Sequence, residues 1–549
     1  VTEIKKSSRS LAVIAGIVAF GTLISKIFGL VRQQAIAAAF GVGAAANAYS
    51  YAYILPGFLL VLLGGINGPF HSAIVSVLAK RDKKEAAPIV ETMTTFITCV
   101  LLLVTIGLII FAEPLTNIVA PGLNQTQGLS ASEVQTLMQT KEIAIAQLRI
   151  MAPIAVLAGL IGIGFATLNA ADMYWLPSIS PLFSSILVIV GLGVLALQLG
   201  NKIIAPEYAM LGGIVLAVGT LAGAILQWIV QLIAQWRSGL GTLRLRFDFQ
   251  NPGVQEVIKI MAPATFSSGM LHINVYTDLF FASYIQGAAA ALNYASLLVQ
   301  TPLGIISNVL LVPLLPVFSR LAAPENWPEL KARIRQGLML TALTMLPLGA
   351  IMISLSMPIV RVVYERGAFN RQASGLVASL LVAYGIGMFF YLGRDVLVRV
   401  FYALGDGETP FRISIMNIFL NGLLDWILIQ PFGAPGLVLA TMGVNIVSMV
   451  LLLWKLNQKL NGLPMHQWLL PFGGLVGASI FTGFASWGTS QGLQQILGSE
   501  GLLIQLLDLS ISGLVGLCLF GFLAIKMELP EMDIFVSRIR QRFVKKKVG

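Results

Sequence analysis

Two cations stand where a lipid-spanning helix should carry none. The apolar run from Leu11 to Phe40 is long enough to cross a bilayer, yet it contains Ser25-Lys26-Ile27-Phe28-Gly29-Leu30-Val31-Arg32. A Lys or Arg at the middle of such a helix costs roughly 2.5–3.5 kcal/mol on insertion scales. Six residues of helix separate Lys26 from Arg32, about 600° of rotation and ~9 Å of rise, so the two project from different faces. A chain that keeps both there points to a protein cavity, and the guest of a buried cationic cavity is an anion. The alternative is that both side chains snorkel toward the interfaces on their long stems. The next run, Ala48 to Leu78, is broken by Pro56, Gly64-Gly65 and Gly68-Pro69, and carries Asn67 and His71. Helix breakers at bilayer depth persist where the freed backbone groups face protein or a wet cavity.

A second constellation is built of oxygen. Asp278 lies within an apolar run; Asn421 and Asp425, four residues apart, share a helix face in a later one. Leu437 and Thr441 repeat that spacing in the run that follows. Two carboxylates, an amide oxygen, a hydroxyl and a backbone carbonyl suit a hard cation such as Na+, or a proton. The competing reading pairs the acids with Arg394 or Arg399, or sets Asp425 near an interface beside Trp426. Asp395 and Arg399, again i,i+4, read as a structural ion pair. His272, Asn274, Asn293, Gln300 and Asn308 are further polar residues in apolar surroundings. Each alone is the usual interhelical hydrogen-bond glue. As a set flanking a cavity, His272, Asn274 and Gln300 join Asn67 and His71 as candidate substrate contacts. The three histidines are too scattered for a ligand cluster, and there is neither a P-loop nor a G-x-S-x-G motif. A non-enzymatic, secondary or passive transporter is expected, with no cofactor other than a coupling Na+ or H+.

The elements that must position these residues are membrane helices. The chain is 57% hydrophobic and 11% charged, with mean hydropathy +0.85, against about 25% charged residues in soluble domains. Apolar runs of spanning length lie near 11–40, 48–79, 89–111, 142–171, 177–199, 207–236, 255–285, 290–319, 332–356, 374–404, 410–430, 434–456, 467–488 and 502–526, which predicts an all-α integral membrane protein of about fourteen spans. The longest intervening segment, 112–141, is polar and predicts a short amphipathic helix at Ser132–Glu142. The basic start (Lys5, Lys6, Arg9) followed by a long apolar run lacks a clear cleavage site, so a retained first helix is expected rather than a signal peptide. Cys99 and Cys518 both fall within apolar runs and imply neither a disulfide nor a thiolate metal site.

Numbering the inter-helix segments alternately, 24 of the 35 Lys and Arg fall in the set that includes both termini and five in the other set; six lie in or beside helices. That asymmetry predicts cytoplasmic termini. The net charge of +11 is therefore a membrane-topology signal, not a nucleic-acid footprint, and the basic tail reads as an anchor on anionic lipid. Similar punctuation recurs six runs apart: Gly68-Pro69-Phe70-His71-Ser72 against Leu315-Pro316-Val317-Phe318-Ser319, and Asp172…Pro177 against Asp406…Pro410. Parallel repeats follow, giving two six-helix lobes related by pseudo-two-fold symmetry, residues 1–240 and 241–460, with two further helices and a basic tail in 461–549.

Several stretches carry a resemblance: Ser25 to Arg32, Phe40-Gly41-Val42-Gly43, Ala120-Pro121-Gly122, Leu315 to Ser319, Tyr364-Glu365-Arg366-Gly367-Ala368-Phe369, and Phe401-Tyr402-Ala403-Leu404-Gly405-Asp406-Gly407-Glu408-Thr409-Pro410. In order, over about residues 10–460, they resemble the MurJ (MviN) lipid II flippases of the multidrug/oligosaccharidyl-lipid/polysaccharide exporter superfamily. The resemblance implies a V-shaped central cavity opening alternately to either side of the bacterial inner membrane. It implies as cargo the undecaprenyl-pyrophosphate-linked peptidoglycan precursor, moved by a protein expected to be a monomer. Basic cavity residues would hold the pyrophosphate, and a groove by the last two helices the lipid tail. Arg32 matches an arginine of the family's first helix and Lys26 replaces another; Asp278, Asn421, Asp425, Leu437 and Thr441 fall on positions resembling a sodium site. Other family charges are neutral here. Leu55-Pro56 is followed by Gly57 where an arginine is usual, Asn47 and Gln33 replace acids, and Ser296, Leu297 and Gln300 stand where an Asp-Arg pair and a Glu are usual. Those neutral positions leave open a flippase for another polyprenyl-linked saccharide, and the wider superfamily a cation-coupled exporter of small amphiphiles.

Overall fold

The structure is a computed structural model that describes residues 11–64, 69–78, 81, 83–239, 241, 243–270 and 273–531. Among these residues every regular element is helical. Twelve helices are long and apolar enough to cross a membrane, and a thirteenth span arises if a bent pair counts as one. That pair is α6 (Ala131–Met151) and α7 (Ile154–Ala170), which meet at 43°. Pro153 sits in the break, where its ring cannot continue the hydrogen-bond ladder. The amphipathic helix expected at Ser132–Glu142 is thus the first half of α6, opened by a capping box in which Ser130 and Glu133 satisfy each other's backbone donors. Of the seventh expected run, 255–285, most described residues fall in α11 (Pro252–Met270) and α12 (Ile273–Ala282), neither of which qualifies as a span by itself.

Packing divides the chain into two units, Val1–Ala290 with Arg366–Phe369, and Ala291–Glu365 with Asn370–Gly549. The first contains α1 (Leu11–Phe40), α2 (Ala44–Gly64), α3 (Pro69–Leu78), α4 (Lys83–Ile110), α5 (Ala112–Val119), α6, α7, α8 (Trp175–Ile179), α9 (Pro181–Leu199), α10 (Ala209–Arg237), α11 and α12. Helix α2 is its centre, packed against α6, α7 and α10. Its first turns, Ala45 to Ala52, are small or hydrogen-bonding and entirely buried. Helix α1 is peripheral: it leans on α9 and α8, and 6% of its apolar window is buried, against 67% for α2. Helix α11 packs on α3, so residues that the repeat assigns to the second lobe are held by the first unit. The short motif Arg366–Phe369 is also held there. Ala368 N donates to Ala38 O at 2.8 Å, and Gly367, at φ +58°, lies where any side chain would strike that same carbonyl.

The second unit begins inside α13 (Ala288–Arg320) and continues through α14 (Trp327–Ser354), α15 (Ser356–Tyr364), α16 (Arg371–Ala403), α17 (Glu408–Phe432), α18 (Ala434–Lys459), α19 (Met465–Leu497) and α20 (Leu502–Lys526). Helix α16 packs on α14 and α18, α17 on α18, and α19 on α14 and α20. Where α14 crosses α16, a Cβ on Gly349 would lie 2.5 Å from Gly385 O. Close backbone approach of this kind drives association in lipid, where burying apolar area gains nothing. Of the two proline-marked stretches that suggested duplication, Leu315–Ser319 lies within α13, which runs through Pro302, Pro313 and Pro316 as one element of 33 residues, while the other begins at Gly68, outside the described residues.

Candidate functional site

In the first unit the candidate site is the stretch of α1 that carries Lys26 and Arg32. Lys26 is exposed, Arg32 is half-buried, and neither forms an ion pair among the described residues. Between them Gly29 has open space within 4 Å of the place a Cβ would take. Gly21, two turns earlier, is pressed against Ser178. The helix is therefore packed at Gly21 and again at Ile36, Ala37, Ala39 and Phe40, and open around Gly29 between them. Arg32 lies within electrostatic reach of the Tyr49 and Tyr53 phenols of α2. Those rings stack with centroids 5.4 Å apart, and the Tyr49 hydroxyl is hydrogen-bonded to Thr220 Oγ1 of α10 at 3.0 Å. Arg32 Nε is buried with no hydrogen-bond partner among the described residues. A guanidinium backed by aromatic rings, with an N–H still to be satisfied, is equipped to take an oxyanion.

Two of the other predicted substrate contacts have partners of their own. His71 Nε2 is 2.7 Å from Asn169 Nδ2 of α7, which ties α3 to α7 as interhelical glue. Gln300, on α13 in the second unit, is exposed and donates to Ser296 Oγ at 2.8 Å. Asn274 falls on α12, while Asn67 and His272 lie outside the described residues. Asn47, one of the neutral replacements, has a structural task. Its Nδ2 donates to Val42 O at 2.6 Å and Gly43 O at 3.2 Å, and its Oδ1 accepts from Ala290 N, at the start of α13, at 3.1 Å. An amide performs both roles at once; a carboxylate performs one of them.

The oxygen set is divided between the units. Asp278 is half-buried on α12 in the first; Asn421, Asp425, Leu437 and Thr441 belong to the second. Asn421 and Asp425 are wholly buried on the α17 face toward α18, and Asn421 Nδ2 donates to Asp425 Oδ2 at 2.8 Å. On α18, Thr441 Oγ1 donates to Leu437 O at 3.3 Å. Three residues that the sequence reading passed over extend the set. Asn417 donates to Ser448 Oγ at 3.2 Å, and Asn445 to Thr441 O at 2.8 Å, all buried. Their signal was available in the spacing, since 417, 421 and 425 form one i,i+4 ladder and 441 and 445 another. No group of three or more His, Cys, Asp or Glu side chains that could hold a metal occurs among the described residues. The donors of α17 and α18 nevertheless fit Na+ in type, being one carboxylate with neutral oxygens. For its own oxygen to join them the Asn421 amide must turn, because only its NH2 can face a carboxylate.

The expected Asp395–Arg399 ion pair is not formed. The nearest cation to Asp395 is its chain neighbour Arg394 at 3.8 Å, and Arg399 Nη1 donates instead to Leu311 O at 3.1 Å. A helix carbonyl keeps a second lone pair beyond its ladder bond, and in an apolar setting that lone pair competes well for a guanidinium.

The family model described as lipid II flippase MurJ matches residues 36–506. A Synechocystis relative described as a probable lipid II flippase MurJ is 56% identical over 538 residues, covering 98% of each chain. The Burkholderia cenocepacia lipid II flippase MurJ is 28% identical over 493 residues, 87% of this chain and 89% of its own. Among solved structures, a lipid II flippase MurJ in an inward closed conformation matches with a TM-score of 0.73 at 22% identity, over 93% of this chain and 99% of that one. An inward-facing multidrug resistance MATE family transporter of the MOP superfamily matches with a TM-score of 0.60 at 14% identity, over 80% and 94%. At such identities the two structures speak for the fold, while the family model and the Synechocystis relative speak for kinship. The α1 cations, the second span with Pro56 inside it and the helical architecture thus sit in a chain that belongs to the MurJ family of lipid II flippases.

Proposed function

We propose that the protein is a lipid II flippase that turns its cargo from the inner to the outer leaflet of the bacterial inner membrane by alternating access. The observation that carries this reading within the molecule is Arg32, a guanidinium at membrane depth with no carboxylate beside it and a buried N–H unsatisfied among the described residues. A pyrophosphate would satisfy it by charge-assisted hydrogen bonds. Lys26, exposed on the same helix, would supply long-range attraction rather than a fixed contact. The distribution of Lys and Arg supports cytoplasmic termini, so that the cargo is collected where it is made. The set on α17 and α18 would bind the coupling Na+ or H+. Binding there would change the equilibrium between access states only through a different affinity for each. The working unit in this reading is a monomer in contact with membrane lipid.

Depletion of the protein in its host, followed by assay of lipid II exposed on the outer leaflet, tests the cargo. Lipid II should accumulate inside and vanish outside, and re-expression of the intact chain should restore it. Undiminished outer-leaflet lipid II would transfer the role to another polyprenyl-linked saccharide.

A further inference from the structure

Helices α1 and α2 are joined by Gly41, Val42 and Gly43, all within the first unit. Counted from that turn at about 1.5 Å per residue, Arg32 stands about 12 Å along α1 and Tyr53 about 13.5 Å along α2, so the two are nearly level. The Tyr53 phenol lies within electrostatic reach of the guanidinium. Gly29 precedes Arg32 by one turn on the same face and borders open space. Arg32 Nε, buried and unpartnered among the described residues, is one donor. A pyrophosphate brings several acceptor oxygens, more than one guanidinium serves, so a ligand of that kind calls for a second donor beside Arg32.

Two phenols stand there, and their protons are differently placed. Thr220 Oγ1 donates to Leu216 O at 2.8 Å, so in its 3.0 Å bond with the Tyr49 hydroxyl the threonine accepts and the tyrosine donates. The one hydroxyl proton of Tyr49 is thereby committed within the fold. Tyr53 is half-buried, and its hydroxyl has no hydrogen bond among the described residues. The Tyr53 ring is nonetheless held. It stacks on Tyr49 at an interplanar angle of 12°, and it lies over Gly57, one turn further along the same face of α2. A Cβ at position 57 would come within 2.6 Å of Tyr53 Cε1. Glycine is a poor residue for a helix interior, and here it leaves the space that the tyrosine ring fills.

We propose, on the reading that Arg32 holds the pyrophosphate of the cargo, that Tyr53 is the second donor of that site: its hydroxyl bonds the same phosphate oxygens, and Gly57 admits its ring. The intact chain in phosphatidylcholine nanodiscs is titrated with undecaprenyl pyrophosphate and with undecaprenol, and binding is read by native mass spectrometry. The parent should prefer the pyrophosphate lipid. Tyr53→Phe keeps the ring and loses only the hydroxyl. It should weaken pyrophosphate-lipid binding about tenfold or more, with undecaprenol binding and melting temperature unchanged. Gly57→Ala, which forces the ring aside, should weaken binding of the same lipid by a similar factor. Tyr49→Phe should instead lower the melting temperature and lose less affinity than Tyr53→Phe. Full affinity in Tyr53→Phe, while Arg32→Ala loses it, would overturn the role of Tyr53 and leave that of Arg32 standing. Equal loss of both lipids in Tyr53→Phe would overturn it too, by making the residue structural. Equal binding of the two lipids by the parent, or full affinity in Arg32→Ala, would remove the pyrophosphate reading itself and the role of Tyr53 with it.

Discussion

Helix α1 and the α17–α18 pair both put charge into the membrane, and they manage it in opposite ways. On α1, Lys26 is exposed and Arg32 half-buried, with no acid paired to either among the described residues. On α17, Asn421 and Asp425 are wholly buried and bonded to one another, and Asn417 and Ser448 continue the polar contact to α18. A charge left open at bilayer depth is costly unless something outside the fold meets it. A sealed, mutually bonded set is structural first, and in the proposed reading would take an ion only once its amides turn. Loss of an α1 cation should therefore show in transport and not in stability; loss of the α17 carboxylate should show in both.

Arg32→Ala is the strongest way to break this contrast. Removing a guanidinium from an oxyanion should cost about 2–5 kcal/mol of binding, enough to abolish measurable lipid II flipping. The melting temperature should stay close to that of the parent, because no ion pair is lost. Retained flipping would remove Arg32 from the cargo site, and a large drop in melting temperature would make it a structural residue after all.

Asn47→Asp asks whether burial, rather than membership of one unit, decides the outcome. Asn47 is in the first unit yet is sealed, at 5% exposure, and uses both ends of its amide. A carboxylate there loses the bonds to Val42 O and Gly43 O and sets negative charge against them, at a cost of about 1–3 kcal/mol. Thermal unfolding should register that loss before any transport assay does. An unchanged or raised melting temperature would mean that the position readily accepts an acid.

The membrane class and most span positions were legible because hydropathy is additive along the chain and a span is long. The count was less so, since the run at 142–171 bends at Pro153, an event decided by local backbone geometry within a continuous apolar signal. Arg32 was legible because a cation in an apolar run has few explanations. His71 was misplaced for the opposite reason: a lone imidazole in a membrane helix reads as a ligand or as glue, and only the position of Asn169 distinguishes them. Asp395 failed because i,i+4 spacing permits a pair without requiring it, and Arg399 found a carbonyl on another helix.

Asp425→Asn sharpens the second half of the contrast with a smaller effect. Replacing a charge-assisted hydrogen bond by a neutral one should cost about 1 kcal/mol of stability. The decisive reading is the response to Na+. If α17 and α18 hold the ion, stabilisation of the parent by Na+ over choline vanishes in the variant. A response of equal size in both proteins would remove the site.

The smallest effect belongs to a charge outside the membrane, which neither region's logic governs. Asp406, between α16 and α17, is pushed up by partial burial, but hydrogen bonds from Lys459 Nζ at 2.7 Å, Thr409 N at 3.0 Å and Thr409 Oγ1 at 2.9 Å outweigh that and hold its carboxyl below the ordinary range. A carboxyl depressed by folding stabilises the protein above its unfolded value, about 3.9, and loses that contribution as pH falls through the folded value. Lys459 is 38% exposed on its side chain, so salt and solvent screen the pair. Asp406→Asn should therefore lower the melting temperature slightly and by the same amount from pH 7 to pH 5. The gap to the parent should close only below about pH 4, and shrink in high salt. A gap that widens on acidification would mean that Asp406 titrates in the opposite sense, with burial and not Lys459 in control.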